Sequence, residues 1–117
     1  MNYGLPDSTI EKINAVFESF PEVKQAVLYG SRAKGNYKPG SDIDLTLHGS
    51  ALTTFLCNEI VGKLDDLFLP YKIDLSVFAA LKHLELEAHI ERVGKVFYQR
   101  RDAMGFPQYH GHTVKLA

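Results

Sequence analysis

Apolar residues at Ile10, Ile13, Val16, Phe17 and Phe20 recur at three- and four-residue intervals, the spacing of one helix face. Ser8 and Glu11 have the spacing of a capping box at the start of that helix, and Pro21 stops it. The run Gln25–Tyr29 (QAVLY) is expected to form a strand. Gly30-Ser31 turns out of it, Ser31–Lys34 forms a short helical turn, and Asn36–Gly40, with its Pro39-Gly40 pair, is loop. Ser41–Leu47 reads as a second strand, closed by His48-Gly49-Ser50. Leu52, Leu56, Ile60 and Leu64 then repeat every four residues, widened by Val61, Leu67 and Phe68. They predict a helix capped by Ser50, running to about Phe68 and ended by Pro70. Tyr71–Phe78 is expected as a third strand, Ala79–Arg92 as a helix broken by Gly94, and Lys95–Gln99 as a fourth strand. The order α-β-α-β-α-β-α-β describes an α/β (α+β) chain, a sheet with helices packed against it. One domain over residues 1–99 is expected, followed by a polar tail, 100–117, ordered against a partner.

Composition narrows the function. At 117 residues with 45% hydrophobic and 23% charged residues, the chain can bury one core. Thirteen basic and 14 acidic residues give a net charge of −1, without the basic excess of a nucleic-acid or membrane-surface binder. A single cysteine, Cys57, excludes an internal disulfide and suits a reducing compartment. The first ten residues, MNYGLPDSTI, lack both the basic and the apolar stretch of a signal peptide, and no apolar run approaches the ~20 residues of a membrane span. A cytoplasmic location without membrane contact is the expectation.

The chemistry concentrates in one stretch, LYGSRAKGNYKPGSDIDLTL, Leu28 to Leu47. Side chains alternate along a strand, so Asp42 and Asp44 are expected on one face, with Ile43 and Leu45 on the other. Asp74, between Ile73 and Leu75, sits in another strand-like run, and three aspartates on neighbouring strands can converge. Like charges repel unless something positive stands between them, and a hard cation such as Mg²⁺ takes oxygen ligands while leaving positions for phosphates. Taken alone, Asp-x-Asp is more often a turn aspartate followed by an exposed one, because the pattern is common by chance. The preceding Gly-Ser adds a second element. Gly30 lets backbone pass close to a ligand, and Ser31 opens a helical turn whose free N–H groups suit an anion. Arg32, Lys34 and Lys38 add positive charge, and each of them is also a candidate for plain solvated surface.

These residues resemble the signature of nucleotidyltransferases of the DNA polymerase β superfamily, and most of all its minimal nucleotidyltransferase group. Gly30-Ser31, ten intervening residues and Asp42-Ile43-Asp44 satisfy the pattern without a gap, and Ala33, Gly35 and Ser41 also look like the family. The resemblance implies the nucleotidyltransferase fold, with a mixed sheet of about four strands. It implies transfer of a nucleoside monophosphate, AMP from ATP, to an acceptor hydroxyl with release of pyrophosphate. By the same resemblance Asp42, Asp44 and Asp74 ligate two Mg²⁺ ions, and Asp74 also helps deprotonate the acceptor. Gly30 and Ser31 hold the β- and γ-phosphates, with Arg32, Lys38 and Ser41 joining the nucleotide site. Members this short lack the domains that bind base and acceptor in larger relatives. Their partner is often a helical HEPN-type protein, in some cases a toxin that the nucleotidyltransferase modifies as antitoxin.

Three functions stay open on the sequence: AMP transfer to a partner protein, an antitoxin that acts by masking its partner, and transfer to a small molecule such as an aminoglycoside or to an RNA end. Three carboxylates favour an enzyme over a pure binding module. Near-neutral charge weighs against RNA. A partner or a second copy is expected on the third long helix and the tail. In that helix Leu81, Leu84 and Ala88 form one stripe, and Leu86 and Ile90 lie off it, as core or as interface. His48, His83 and His89 read as surface residues, His110 and His112 as an adventitious pair, and Cys57 as a small core hydrophobe.

Overall fold

The computed structural model describes residues 2–101. Helix α1 (Asp7–Glu18) buries Ile13 and Phe17, each contributing roughly 2–3 kcal/mol by leaving water. The expected capping box is not used. Pro6, fixed near φ −60°, occupies the N-cap and offers no side-chain acceptor, which leaves Ser8 and Glu11 exposed inside the helix. Strand β1 (Gln25–Tyr29) is buried along its whole length. It runs into the short helix α2 (Gly30–Lys34), and β2 (Ile43–His48) follows the loop. Ser41 and Asp42 precede β2 rather than belonging to it.

Helix α3 (Thr54–Asp65) buries Cys57, Ile60 and Leu64. Its cap is not Ser50 but Thr53, whose hydroxyl accepts the Leu56 N–H at 3.0 Å. It also ends earlier than expected, because Phe68 adopts φ +51° in the turn beyond it. Strand β3 (Ile73–Val77) is shorter than the apolar run that signals it. The expected helix from Ala79 divides in two. A 3-10 turn spans Phe78–Ala80, Leu81 is extended, and α4 (Leu84–Val93) starts afresh, with His83 Nδ1 accepting the Leu86 N–H at 3.0 Å. Strand β4 (Lys95–Gln99) closes the fold.

The sheet order is β3-β2-β1-β4. β1 is antiparallel to β2 and β4, and β2 is parallel to β3. A parallel pair requires a crossover connection, which α3 supplies. One sheet face, with Ala26, Leu28, Ile43, Leu45, Leu47 and Phe97, meets Ile13 and Phe17 of α1 and Ile60 and Leu64 of α3. On the other face Val27 and Tyr29 meet Ile90, with Leu86 and Val93 packed beside them. Leu86 and Ile90 are therefore core, and it is Leu84, 83% exposed, that points to water.

Arg100, assigned to the tail from sequence, is tied to the body. Its backbone N–H donates to Lys24 O at 2.9 Å, its Nε to Val23 O at 2.9 Å, and its Nη2 to the carbonyls of Phe17, Glu18 and Phe20. It supplies the cation that the last turn of α1 lacks. Residues 102–117, with Phe106, Tyr109, His110 and His112, lie outside the described residues. Among the described residues no helix is long and apolar enough to cross a membrane.

His48 is buried at the end of β2, not exposed, with its ring 4.8 Å from that of Phe78. Burial lowers its pKa from the ordinary 6.5 to about 4. The unfolded chain then takes up a proton that the folded chain refuses. This contribution to stability is complete above pH 6.5 and declines toward pH 4, by up to about 3 kcal/mol. Urea unfolding of wild type and His48→Phe across that range should show the steeper loss on acidification in the wild type. Equal slopes would contradict the assignment.

Candidate active site

The register of the parallel pair builds the site. Asp44 is opposite Asp74, and two residues on Thr46 is opposite Ser76, whose hydroxyl donates to Thr46 Oγ1 at 2.9 Å. Alternation puts Asp44 and Asp74 on the face away from α1 and α3, because Ile43 and Leu45 belong to the core on the other side. On its other edge Asp44 is opposite Tyr29, the last residue of β1. Gly30 follows with φ +73°, and a Cβ there would run into the Asp44 carboxylate. The Gly-Ser turn therefore lies directly against the carboxylate strand. Only glycine permits both that approach and that backbone conformation.

The electrostatics are those of crowded like charges. Burial, then Asp74, then Asp42 raise the Asp44 pKa, and Lys72 pulls it back in part. Asp74 is exposed and Asp44 half-buried. Asp42, exposed on the approach to β2, makes itself felt at Asp44 through its charge. Among the described residues no three His, Cys, Asp or Glu side chains are already closed into a metal-binding group. The donor set is nonetheless of the right kind for a hard divalent cation: oxygen-only and anionic, with Asp74 and Asp42 raising the affinity of Asp44 for a positive charge.

Arg32 and Lys38 part company. Lys38 is exposed in the loop, and its N–H donates to Ser41 Oγ at 2.8 Å. Arg32, expected to face the nucleotide, is 1% exposed, and its guanidinium is engaged inside the protein. Nη1 donates to Tyr3 O at 2.9 Å, Nη2 to Pro39 O at 3.1 Å and to Ser41 O at 3.0 Å, and Nε to Ser41 O at 3.1 Å. The rings of Tyr37 and Tyr71 flank it, at 5.2 and 5.1 Å from the guanidinium carbon to the ring centroids. A ligand-facing Arg32 is thus corrected to a buried one, because the loop carbonyls reach it first.

Tyr29 and Lys72 are neighbours of the carboxylates that the sequence did not single out. The Tyr29 pKa is raised by burial, Asp74 and Asp44, against a hydrogen bond with Ser76. Its ring meets His89 of α4 edge-on at 6.2 Å. The signal for Tyr29 was its place as the last strand residue before Gly30-Ser31. A hollow of about 470 Å³ at the start of β3 is lined by Phe68, Tyr71, Lys72 and Ile73 among others, and by none of the three aspartates.

The family model of the polymerase beta nucleotidyltransferases matches residues 11–103, which include the Gly-Ser turn, the loop and all three aspartates. The chain belongs to the polymerase beta nucleotidyltransferase family. Nucleotidyl transfer is the activity of that family. Solved structures share the fold of this nucleotidyltransferase. A toxin–antitoxin crystal structure with AMP-PNP aligns at 21% identity and a TM-score of 0.62, over 83% of this chain and 76% of the other. The MntA-HepT toxin–antitoxin aligns at 18% identity and 0.60, over 82% and 74%. A tri-AMPylated Shewanella oneidensis HEPN toxin in complex with MNT antitoxin aligns at 19% and 0.59, over 80% and 72%. Among proteins of curated function, none matches this chain by sequence.

Proposed function

We propose that this nucleotidyltransferase moves AMP from ATP to a hydroxyl of a HEPN-type partner protein in the cytoplasm, as the antitoxin of a toxin–antitoxin pair. The observation that carries the chemistry is the Asp44–Asp74 register pair set against Gly30. Gly30 and Ser31 hold the β- and γ-phosphates, and Asp42, Asp44 and Asp74 hold Mg²⁺. Bound there, Mg²⁺ neutralises charge on the attacking and leaving oxygens. Asp74, the exposed member of the pair, takes the proton of the acceptor hydroxyl. That oxygen bonds to the α-phosphorus, and the bond from the α-phosphorus to the pyrophosphate oxygen breaks.

The choice of a protein acceptor is supported by the company this fold keeps: one similar structure contains an AMPylated HEPN toxin. The test uses the purified full chain, Mg²⁺ and ATP labelled at the α-phosphate, with a HEPN-type protein encoded beside it. Label is expected on a hydroxyl-bearing side chain of the partner, with pyrophosphate released. A tight complex without label would favour masking, and label on an added aminoglycoside alone would favour a small-molecule acceptor.

A further inference from the structure

Arg32 is the largest side chain among those fully buried, and it is charged. Removing a guanidinium from water is costly unless its donors are met. The partners it finds are backbone carbonyls and ring faces, so what it stabilises is the path of the chain. Two of its four hydrogen bonds converge on Ser41 O, the carbonyl of the peptide joining Ser41 to Asp42. A third goes to Pro39, in the same loop. Arg32 itself directly follows Gly30-Ser31, and Tyr71, one of its flanking rings, lies three residues before Asp74.

The motif's ten-residue gap therefore has a physical closure. Its first residue reaches across the loop and grips the last peptide before Asp42. Ser41 is held from two further sides, with its N–H donating to Lys38 O at 3.0 Å and its hydroxyl accepting the Lys38 N–H. Gly4, at φ +73°, lets the amino-terminal segment bring Tyr3 O to the same guanidinium, because a Cβ there would collide with the Tyr37 ring. Asp42 stands outside β2, so no ladder hydrogen bond fixes it as strand pairing fixes Asp44 and Asp74.

We propose that Arg32 is a positioning residue. By clamping the Ser41–Asp42 peptide to the Gly30-Ser31 turn, it sets Asp42 against the Asp44–Asp74 pair for divalent-cation binding. The proposal rests on the function argued above and adds to it the part that brings the third carboxylate into place. Lysine cannot replace this arginine, since a point charge lacks the planar fork that holds three carbonyls at once.

The experiment compares wild type, Arg32→Lys and Arg32→Leu by calorimetric titration of ATP with Mg²⁺ and with EDTA, and by hydrogen exchange at the backbone amides of residues 38–42. In both variants the Mg²⁺-dependent gain in ATP affinity should fall about 10–100-fold, the usual cost of losing a group that orients metal ligands. Affinity in EDTA should stay within about twofold of wild type, and the loop amides should exchange faster. An equal loss in EDTA would make Arg32 a nucleotide contact and overturn the proposal. Lower thermal stability with an unchanged Mg²⁺ gain would make it merely structural and overturn it too. Tyr37→Leu removes one flanking ring from an exposed position and should shift the Mg²⁺ gain in the same direction. If the Arg32 variants fail to fold, no shift in Tyr37→Leu overturns the clamp. A wild type that binds no Mg²⁺ and ATP overturns the function instead, and the loop exchange rates then decide the clamp by themselves.

Discussion

Asp44→Asn is expected to lose nucleotide transfer by on the order of 10³-fold, because a metal-held charge at the reacting phosphate is worth several kcal/mol. The same variant is expected to keep its fold at neutral pH. Asp44 has a pKa raised by burial, Asp74 and Asp42, so the folded chain holds that proton better than the unfolded chain does. As pH rises through this window, the ionised carboxylate costs stability. Asparagine keeps the shape and removes the charge. Its melting temperature near neutral pH should therefore equal or exceed that of wild type, and the difference should shrink on acidification as Asp44 takes up its proton. Labelled-ATP transfer and thermal unfolding measured on one preparation test both halves. Retained transfer would remove Asp44 from the metal site, and a collapsed fold would show that its role is structural.

Gly30→Ala should cost about 10²-fold in transfer, the usual effect of shifting a reacting group by about 1 Å. Two faults combine at this position. The backbone at φ +73° disfavours any Cβ by roughly 1–2 kcal/mol, and the added methyl meets the Asp44 carboxylate. Gly35→Ala separates them. Gly35 has φ +90°, yet nothing lies within 4 Å of a Cβ built there. It should therefore lose comparable stability and retain transfer. If both variants lose transfer to the same degree, backbone strain rather than the approach to Asp44 is responsible.

Strand positions were legible in the sequence because each strand carries its signal locally. Gln25–Tyr29 and Lys95–Gln99 appear as expected, the third strand is trimmed at both ends, and the second loses Ser41 and Asp42 and gains His48. Helix starts were less legible, because several candidate caps stood near each. Ser8 lost to Pro6, and Ser50 to Thr53, whose hydroxyl lies three residues before the amide it accepts. The division of the stretch from Phe78 to Val93 was hidden because its apolar residues offer two stripes, Leu81, Leu84 and Ala88 on one and Leu86 and Ile90 off it, and only the tertiary core selects between them. At the site, alternation placed Asp44, but it could not tell that Asp42 lies before the strand. Arg32 misled for a related reason. In sequence an arginine beside a Gly-Ser turn looks like a phosphate ligand, and only the fold shows that loop carbonyls surround it.

The parallel pairing of β2 with β3 has a consequence for how such a chain can diverge. The carboxylates meet through matched positions on two strands, while the chain between them travels through α3 on the far side of the sheet. Residues can be gained or lost in the turns on either side of that helix without moving Asp44 relative to Asp74. A shift of one residue in β3 would turn Asp74 into the hydrophobic layer and bring Ile73 or Leu75 out in its place. The Thr46–Ser76 hydroxyl contact, two positions further along, breaks under the same shift and so indexes the alignment. The connection is therefore the place for grafts, tags or inherited length changes, and the two strands tolerate none.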